Sequence, residues 1–149
     1  MHYIIREASA EDIHSIIELC MEHAAYEQAN YNSNGKAEKL AAMLFYPNPK
    51  LHCAVAECEN KIIGYTSFSK ECSTWHAAYY IYMDCLFLKD TYRGFGIGKA
   101  LVNKVIEYAK QSNTHHIEWQ TPSFNKRAIE FYERIGAIAT EKIRFTLTI

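Results

Sequence analysis

The sequence predicts a mixed α/β fold with a central, largely antiparallel sheet of about six or seven strands flanked by helices. Strand-like apolar runs joined by short turns fill the middle of the chain, which is typical of an antiparallel meander. After them, strand and helix patterns alternate as β-α-β-α-β, which is typical of a sheet covered by helices. A length of 149 residues and an apolar fraction of 49% suit one full core. We therefore expect residues 1–149 to form a single domain.

The first half of the chain is predicted to contain two helices and the start of the meander. Ser9 and Asp12 have capping-box spacing, and apolar residues follow at helical intervals up to Cys20. A second helix should end before Pro47, because proline disfavours helix in the residue that precedes it. The elements expected in order are a strand at 3–6, a helix from Ser9 to about Tyr26, a helix at 37–45, and hairpin strands at 51–58 and 62–69.

The second half is predicted to continue the sheet on both sides of two helices. A polar stretch at 70–76 indicates a loop, and the long aromatic run after it indicates a strand. The elements expected in order are a strand at 79–88, a helix from Ile97 to about Ser112, a strand at 117–120, a helix at 125–135, and two closing strands at 138–140 and 144–148.

Composition excludes several classes of function. The formal net charge is −1 and the pI is about 6.6, so no electrostatic footprint indicates nucleic acid or an anionic membrane as a partner. The longest apolar run, at 40–46, is too short to span a membrane. Five cysteines without a C-x-x-C pair suggest reduced thiols in a cytoplasmic protein. The seven histidines show no metal-ligand spacing, so no metal is expected.

The most informative segment is the glycine-rich run 93–98, between a strand pattern and a helix pattern. A P-loop requires Ser or Thr after Gly98-Lys99, but Ala100 stands there. A dinucleotide fingerprint requires its third glycine where Lys99 stands. The pattern that fits is Arg/Gln-x-x-Gly-x-Gly, filled by Arg93, Gly96 and Gly98. A helix start offers free N–H groups to a pyrophosphate, and glycine lets the anion approach them.

A second motif follows in the order and at the spacing that this pattern requires. Asn125-x-x-Ala128-x-x-Phe131-Tyr132 comes after the next helix and a short strand. Together the two motifs resemble the GNAT superfamily of N-acetyltransferases, and the match is specific from about Tyr79 to Ala137. The resemblance implies a GNAT-like sheet and acetyl-CoA as co-substrate. The residues that it assigns to the coenzyme are Leu86, Leu88, Arg93, Gly94, Phe95, Gly96, Ile97, Gly98, Asn125 and Tyr132.

Several of these residues also have a purely structural interpretation. Leu86 and Leu88 suit a core, although their backbone could still pair with the pantetheine arm. Asn125 suits a helix N-cap. Tyr132 lies beside an apolar helix stripe, so on the helix alone it would be a core-edge residue. The resemblance instead implies that Tyr132 protonates or hydrogen-bonds the leaving thiolate.

Asp84 is the candidate general base, because it is a lone carboxylate inside an apolar strand. Burial there should raise its pKa, whereas an aspartate at a strand edge or bulge is the structural alternative. The segment 84–98 resembles the diamine and polyamine acetyltransferase branch, in which an acid at this position serves as base. That branch has a further acid where Cys85 stands. The resemblance also implies that Tyr26 and Glu27 line the amine site, alongside Asp84 and Cys85.

We therefore expect an N-acetyltransferase that moves an acetyl group from acetyl-CoA to a small cationic amine by direct transfer in a ternary complex. The acceptor would be a diamine, a polyamine or an amino acid-like compound, and a homodimer is expected. The alternatives are a protein or aminoglycoside N-acetyltransferase, or a coenzyme A-binding sensor module without catalysis.

Overall fold

The computed structural model describes residues 1–149 as a five-stranded sheet with helices packed on both faces. The strand order is β1-β2-β3-β4-β5, antiparallel except for the last pair. The strands are β1 (Ile4–Glu7), β2 (Leu51–Cys58), β3 (Lys61–Ser73), β4 (Ala78–Leu88) and β5 (Ile117–Glu118). The helices are α1 (Ile13–Tyr26), α2 (Lys36–Phe45), α3 (Ile97–Gln111) and α4 (Lys126–Arg134). Short 3₁₀ turns, Ala10–Asp12 and Asp90–Tyr92, precede α1 and α3.

The predicted fold class is confirmed, with a lower strand count than expected. The two closing strands at 138–140 and 144–148 do not form, and residues 137–149 carry no regular structure. The segment at 70–76 is also not all loop, because β3 runs on to Ser73 and pairs with β4 as far as Ala78. The segments at 138–140 and 144–148 have the composition of strands, but a strand forms only where a neighbouring strand accepts its hydrogen bonds.

The core has two sides, and the alternation of the central strands determines which residues face each side. Val55, Tyr65 and Phe87 face α1 and α2. Ile81 and Val105 belong to the layer between the sheet and α3. The three residues Ile97, Leu101 and Val105 are fully buried at helical spacing, so α3 packs as its sequence pattern predicts.

A β-bulge in β4 changes which face the following side chains occupy. Ser67 pairs with Cys85 while the next residue, Phe68, pairs with Met83, so Asp84 has no partner on β3. One extra residue in a strand shifts the side-chain alternation by one. Cys85 consequently packs against the α1 side, whereas Met83 packs on the α3 side.

The gap that positions the candidate site opens between β4 and β5. Their parallel pairing is limited to Ile81 with Ile117 and Tyr82 with Glu118. Beyond Tyr82, β4 therefore has a free edge as far as its end. The 93–98 run follows β4 directly, and α4 approaches from the other side, where a Cβ on Gly98 would lie 3.5 Å from the Phe131 ring.

Candidate active site

The glycine-rich run forms an open turn that leads directly into α3. Gly94 and Gly96 have φ of 91° and 82°, and Gly96 is the N-cap of the helix. Such positive values are the ones that glycine adopts without a side-chain penalty. A Cβ at either position would meet nothing within 4 Å, so the space beside both is empty. Gly98 differs, because it lies inside the first turn and faces Phe131.

The start of α3 presents unpaired donors to that space. The first intrahelical bond runs from the Ala100 N–H to the Gly96 carbonyl, at 3.0 Å. The N–H groups of Gly96, Ile97, Gly98 and Lys99 therefore precede the hydrogen-bonded ladder. With the positive end of the helix dipole, they fit the pyrophosphate of coenzyme A. Ile97 is fully buried, so only its backbone can contribute, whereas Phe95 is 56% exposed.

Arg93 holds the turn in place. Its Nε donates to the Leu88 carbonyl at 2.8 Å, and its guanidinium lies 3.3 Å from an Asp90 oxygen. The guanidinium also covers the Tyr26 ring, 4.6 Å from the centroid. Arg93 thus ties the end of β4 to the end of α1. Leu86 and Leu88 are the two strand residues expected to offer backbone groups to the pantetheine arm. The Leu88 carbonyl already accepts from Arg93, whereas Leu86 has no contact with Arg93.

Asn125 occupies a junction of three segments and is buried. Its Oδ1 accepts from the Ala128 N–H at 3.4 Å, as an N-cap does, and from the Tyr26 hydroxyl at 3.1 Å. Its Nδ2 donates to the Thr121 hydroxyl at 3.2 Å. The geometry therefore shows the N-cap, and it adds a link between α4 and α1 that sequence reasoning did not anticipate.

Tyr132 lies on α4 with its ring packed against Trp119 and Phe131, at centroid distances of 5.2 and 5.4 Å. Burial raises its pKa to about 12, and the negative charge of Glu27 adds to the effect. The charge of Glu27 thus acts on the Tyr132 hydroxyl although 105 positions separate them in the sequence, and the neighbouring Tyr26 bonds to Asn125 at the start of α4. The end of α1 and the face of α4 therefore meet at one site.

The expected burial of Asp84 is wrong. The residue is exposed, because the bulge removes it from the alternation that would have placed it in the core. Its Oδ2 accepts from the Cys85 thiol at 3.6 Å. Asp84 and Cys85 also line a small cavity of about 70 Å³ together with Cys20, Tyr65 and Ser67. The carboxylate is therefore open to water at the edge of a mostly apolar pocket.

Sequence reasoning missed a hydrogen-bonded chain that runs from this pocket to Glu27. The Cys20 thiol donates to the Tyr65 hydroxyl at 3.3 Å, the same hydroxyl lies 3.3 Å from His23 Nδ1, and His23 Nε2 lies 3.1 Å from Glu27 Oε1. A neutral imidazole with its hydrogen on Nε2 satisfies every link. The spacing of Cys20, His23 and Glu27 on one helix face is the signal that could have indicated it.

Burial holds the thiol and phenol groups at the pocket end of this hydrogen-bonded chain uncharged. The pKa of the Cys85 thiol is raised to about 12, first by burial and then by the Asp84 charge. Burial likewise raises the pKa values of the Cys20 thiol and the Tyr65 hydroxyl. Because a thiol reacts as the thiolate, Cys85 is not set up as a nucleophile. The arrangement suits direct transfer better than an acetyl-cysteine intermediate.

A larger cavity lies elsewhere. It measures about 350 Å³, sits between the end of α2 and the second half of α3, and is lined by residues that include His52, Phe68 and Tyr108. It contains none of the predicted site residues. Of the two cavities, only the smaller one is lined by predicted site residues, Asp84 and Cys85. No group of three or more His, Cys, Asp or Glu side chains is arranged to hold a metal ion.

Comparison with known proteins identifies the family. A model described as the acetyltransferase (GNAT) family matches residues 4–137. The chain therefore belongs to the GNAT family, and it is an acyl-CoA-dependent N-acetyltransferase.

Relatives of known activity cover most of the chain. A thialysine N-epsilon-acetyltransferase of Bos taurus is 32% identical over 142 residues, covering 90% of this chain and 83% of the relative. The mouse thialysine N-epsilon-acetyltransferase is 30% identical over 141 residues, covering 89% of this chain and 82% of the relative. An L-ornithine N5-acetyltransferase of Arabidopsis thaliana is 30% identical over 76 residues, which is 51% of this chain and 33% of that protein.

Solved structures show the same fold. An aminoglycoside acetyltransferase from a soil metagenome superimposes with a TM-score of 0.82 at 21% identity, covering 99% of this chain and 96% of the other. No helix of the chain has the length and apolar character that crossing a membrane requires.

Proposed function

We propose that the chain transfers an acetyl group from acetyl-CoA to the terminal amine of a small cationic compound of the diamine, polyamine or amino acid type. Three features taken together carry the proposal. These are the free donors at the start of α3, the Tyr132 hydroxyl, and the two carboxylates of Glu27 and Asp84. Residues 1–149 would act as one acetyltransferase domain.

Coenzyme binding rests on main-chain groups. The donors from Gly96 to Lys99 would take the pyrophosphate, and the empty space beside Gly94 and Gly96 would admit it. The free edge of β4 near Leu86 would pair with the pantetheine arm as an added strand does. Acetyl-CoA supplies the reactive thioester as co-substrate, and no metal takes part in the proposal.

The acceptor amine would enter between the carboxylates. Asp84 and Cys85 line the small pocket, and Glu27, which follows Tyr26, lies at the other end of the hydrogen-bonded chain that leads from it. The two carboxylates would attract a cation. Where the polyamine branch has a second acid, this chain has the uncharged Cys85. Because Cys85 carries no charge to pair with a second ammonium group, a substrate with one amine at the reacting centre and a weakly polar chain behind it would fit the pocket. Thialysine, the compound in the names of the relatives, has these properties.

The chemistry balances with these residues. The amine nitrogen attacks the thioester carbonyl, an amide bond forms, and the carbon–sulfur bond breaks. Asp84 would accept the proton of the ammonium through water, since it is exposed. Tyr132 would donate a hydrogen bond to the departing sulfur. The sulfur would take up the second proton, which the attacking nitrogen loses as it becomes the amide nitrogen, and would end as the free thiol of coenzyme A.

The reducing cytoplasm suits the chain, because all five cysteines are free thiols. We also propose that the chain forms a homodimer.

A panel of amines tests the substrate class by measuring thiol release from acetyl-CoA. Thialysine, lysine, ornithine, a diamine and a polyamine should turn over, and added salt should raise KM while leaving kcat unchanged. Glu27→Gln should raise KM for the cationic amines, whereas Glu22→Gln on the same helix, paired with Lys89 outside the site, should not. Binding of acetyl-CoA without turnover of any amine would overturn the enzymatic proposal in favour of a sensor module.

A further inference from the structure

Glu27 is tied to the core by His23, a residue that the proposed chemistry does not use. His23 lies one helical turn before Glu27 on α1, and its Nε2 atom lies 3.1 Å from Glu27 Oε1. Side chains four positions apart share one face of a helix, which is why the two meet. The side chain of His23 is 15% exposed and that of Glu27 is 30% exposed. The hydrogen bond therefore holds one oxygen of a carboxylate that still reaches solvent, and it leaves Oε2 for a ligand.

The sheet fixes the orientation of the His23 ring. Phe87 on β4 stacks on this ring, with a centroid distance of 5.1 Å and an interplanar angle of 22°. The Tyr65 ring on β3 meets it edge to face, with a centroid distance of 6.3 Å. The Tyr65 hydroxyl also lies 3.3 Å from His23 Nδ1. The positions of both imidazole nitrogens are consequently set by two strands as well as by the helix that carries the residue.

The Tyr65 hydroxyl decides which imidazole nitrogen carries the hydrogen. Burial raises the pKa of this hydroxyl, so it stays protonated and has one hydrogen to donate. Its oxygen accepts from the Cys20 thiol at 3.3 Å, which directs its own hydrogen to His23 Nδ1. A ring nitrogen that accepts a hydrogen bond carries no hydrogen, so in the neutral ring the hydrogen is on Nε2. That hydrogen faces Glu27 Oε1.

We propose that His23 is a positioning residue for the acceptor amine, and that Tyr65 holds it in the tautomer that donates to Glu27. The inference rests on the proposed function, because it takes Glu27 as a carboxylate that receives the ammonium group. Held at Oε1, the carboxylate presents Oε2 to the amine and loses less side-chain freedom when the amine binds. The other tautomer would set the Nε2 lone pair against the carboxylate, and Glu27 would turn away into solvent.

Substitutions of His23 test the positioning through the KM for the amine. His23→Leu removes the donor and should raise this KM about tenfold, which is the scale for losing a hydrogen bond to a charged group. The kcat and the KM for acetyl-CoA should stay at their wild-type values. His23→Gln supplies an amide N–H in place of the Nε2 hydrogen and should restore most of the loss. His14→Leu, on the exposed side of the same helix, is the control and should change nothing. A wild-type KM in His23→Leu would overturn the inference.

A double-mutant cycle shows whether His23 acts through Glu27. Glu27→Ala removes the carboxylate that the imidazole holds, so adding His23→Leu to it should raise the KM for the amine no further. Independent effects that multiply in the double variant would overturn the inference, because His23 would then shape the site by packing alone.

Nitrogen-15 NMR of the imidazole groups tests the tautomer without any assay of activity. In the free wild-type chain, His23 should carry hydrogen on Nε2 and none on Nδ1. Tyr65→Phe keeps the ring and removes the hydroxyl, and it should give a mixture of both tautomers. Hydrogen on Nδ1 in the wild type, or an unchanged tautomer in Tyr65→Phe, would overturn the inference and leave the proposed function standing. A chain that has the predicted tautomer but acetylates no amine would overturn the proposed function, and the role of His23 with it.

Discussion

At the scale of the residue, the hydroxyl of Tyr132 is the group whose role the structure sharpens most. A phenol with a pKa of about 12 would have to give up its proton to a thiolate with a pKa of about 8.5, which is uphill by about 5 kcal/mol. Full proton transfer is therefore a poor description of its role. A hydrogen bond donated to the developing thiolate needs no deprotonation, and it acts where charge appears in the transition state.

Replacement of Tyr132 by phenylalanine tests this role. Acetyl-CoA affinity should be retained, and kcat should fall by about 100-fold or more, because one transition-state donor is lost. Steady-state kinetics and calorimetry measure the two quantities. Tyr108→Phe is the control, since that hydroxyl bonds to His52 on another part of the molecule. An unchanged kcat at saturating substrate would show that Tyr132 serves only packing.

Asp84 is exposed and not buried, so we expect it to act as base because water can reach it and not because the core surrounds it. The predicted effect of replacing Asp84 is unchanged. Asp84→Asn should lower kcat/KM by about 100-fold or more, because an amine with a pKa near 10 is mostly protonated at neutral pH. Raising the pH should partly restore the variant, since free amine then needs no carboxylate. Glu71→Gln, near the far end of β3, should leave the pH profile unchanged. An Asp84→Asn enzyme with normal rates would indicate that another group accepts the proton.

At the scale of the element, the bulge in β4 and the turn before α3 work together. The bulge takes Asp84 out of the sheet alternation, and from that point the strand continues with Cys85 and Phe87 on the α1 side. The strand then ends at Leu88, where Arg93 holds the glycine turn. The one extra residue in β4 thus decides that the candidate base is exposed, and it decides which faces the following side chains occupy on the way to the glycine turn.

Valine substitutions at two N-cap glycines separate an effect on coenzyme binding from the effect of backbone strain on stability. Gly96 caps α3 and Gly35 caps α2, with φ of 82° and 66°, and a Cβ on either would meet nothing within 4 Å. Valine at either position should cost about 1–3 kcal/mol of stability, because the conformation disfavours a branched side chain. Gly96→Val alone should weaken acetyl-CoA binding by well over tenfold. Equal affinity of the two folded variants, measured by calorimetry, would contradict the assignment of the loop.

At the scale of the whole molecule, an ion-pair network joins β1, the start of α1 and β2. Arg6 contacts Asp12 at 2.7 and 2.9 Å and Glu57 at 2.8 Å, while Asp12 also accepts from the Ser9 N–H at 2.7 Å. Asp12 is almost fully buried, so its charge depends on these partners. The hydrogen bonds from Arg6 lower its pKa from 3.8 to about 2.

Acid should therefore destabilise the fold within a definite window. A carboxyl whose folded pKa is lowered contributes stability above its unfolded pKa and loses it as the pH falls to the folded value, here from about 4 to about 2. The shift corresponds to about 2 kcal/mol. Asp12→Asn should lose this amount at pH 7 by urea unfolding, and the difference from wild type should vanish near pH 2. Glu11→Gln, exposed beside it, should change little. A constant difference across the window would contradict the linkage.

The fold class, the order of the first nine elements and the two motifs of the coenzyme site were predictable from the sequence. They depend on local patterns: the 3.6-residue period of α3, the capping box at Ser9, and glycine where φ is positive at Gly94 and Gly96. Tertiary structure alone decided the bulge at Asp84, the contact of Asn125 with Tyr26, and the chain from Cys20 through Tyr65 and His23 to Glu27. Each of these features depends on a contact between residues distant in sequence, and no local pattern encodes such a contact. In the hydrogen-bonded chain only the helical spacing of Cys20, His23 and Glu27 is local, and its link to Tyr65 is not. Residues 138–149 show the same limit, because their alternating pattern predicts strands, but a strand also needs a neighbouring strand to pair with, and within this chain these residues have none.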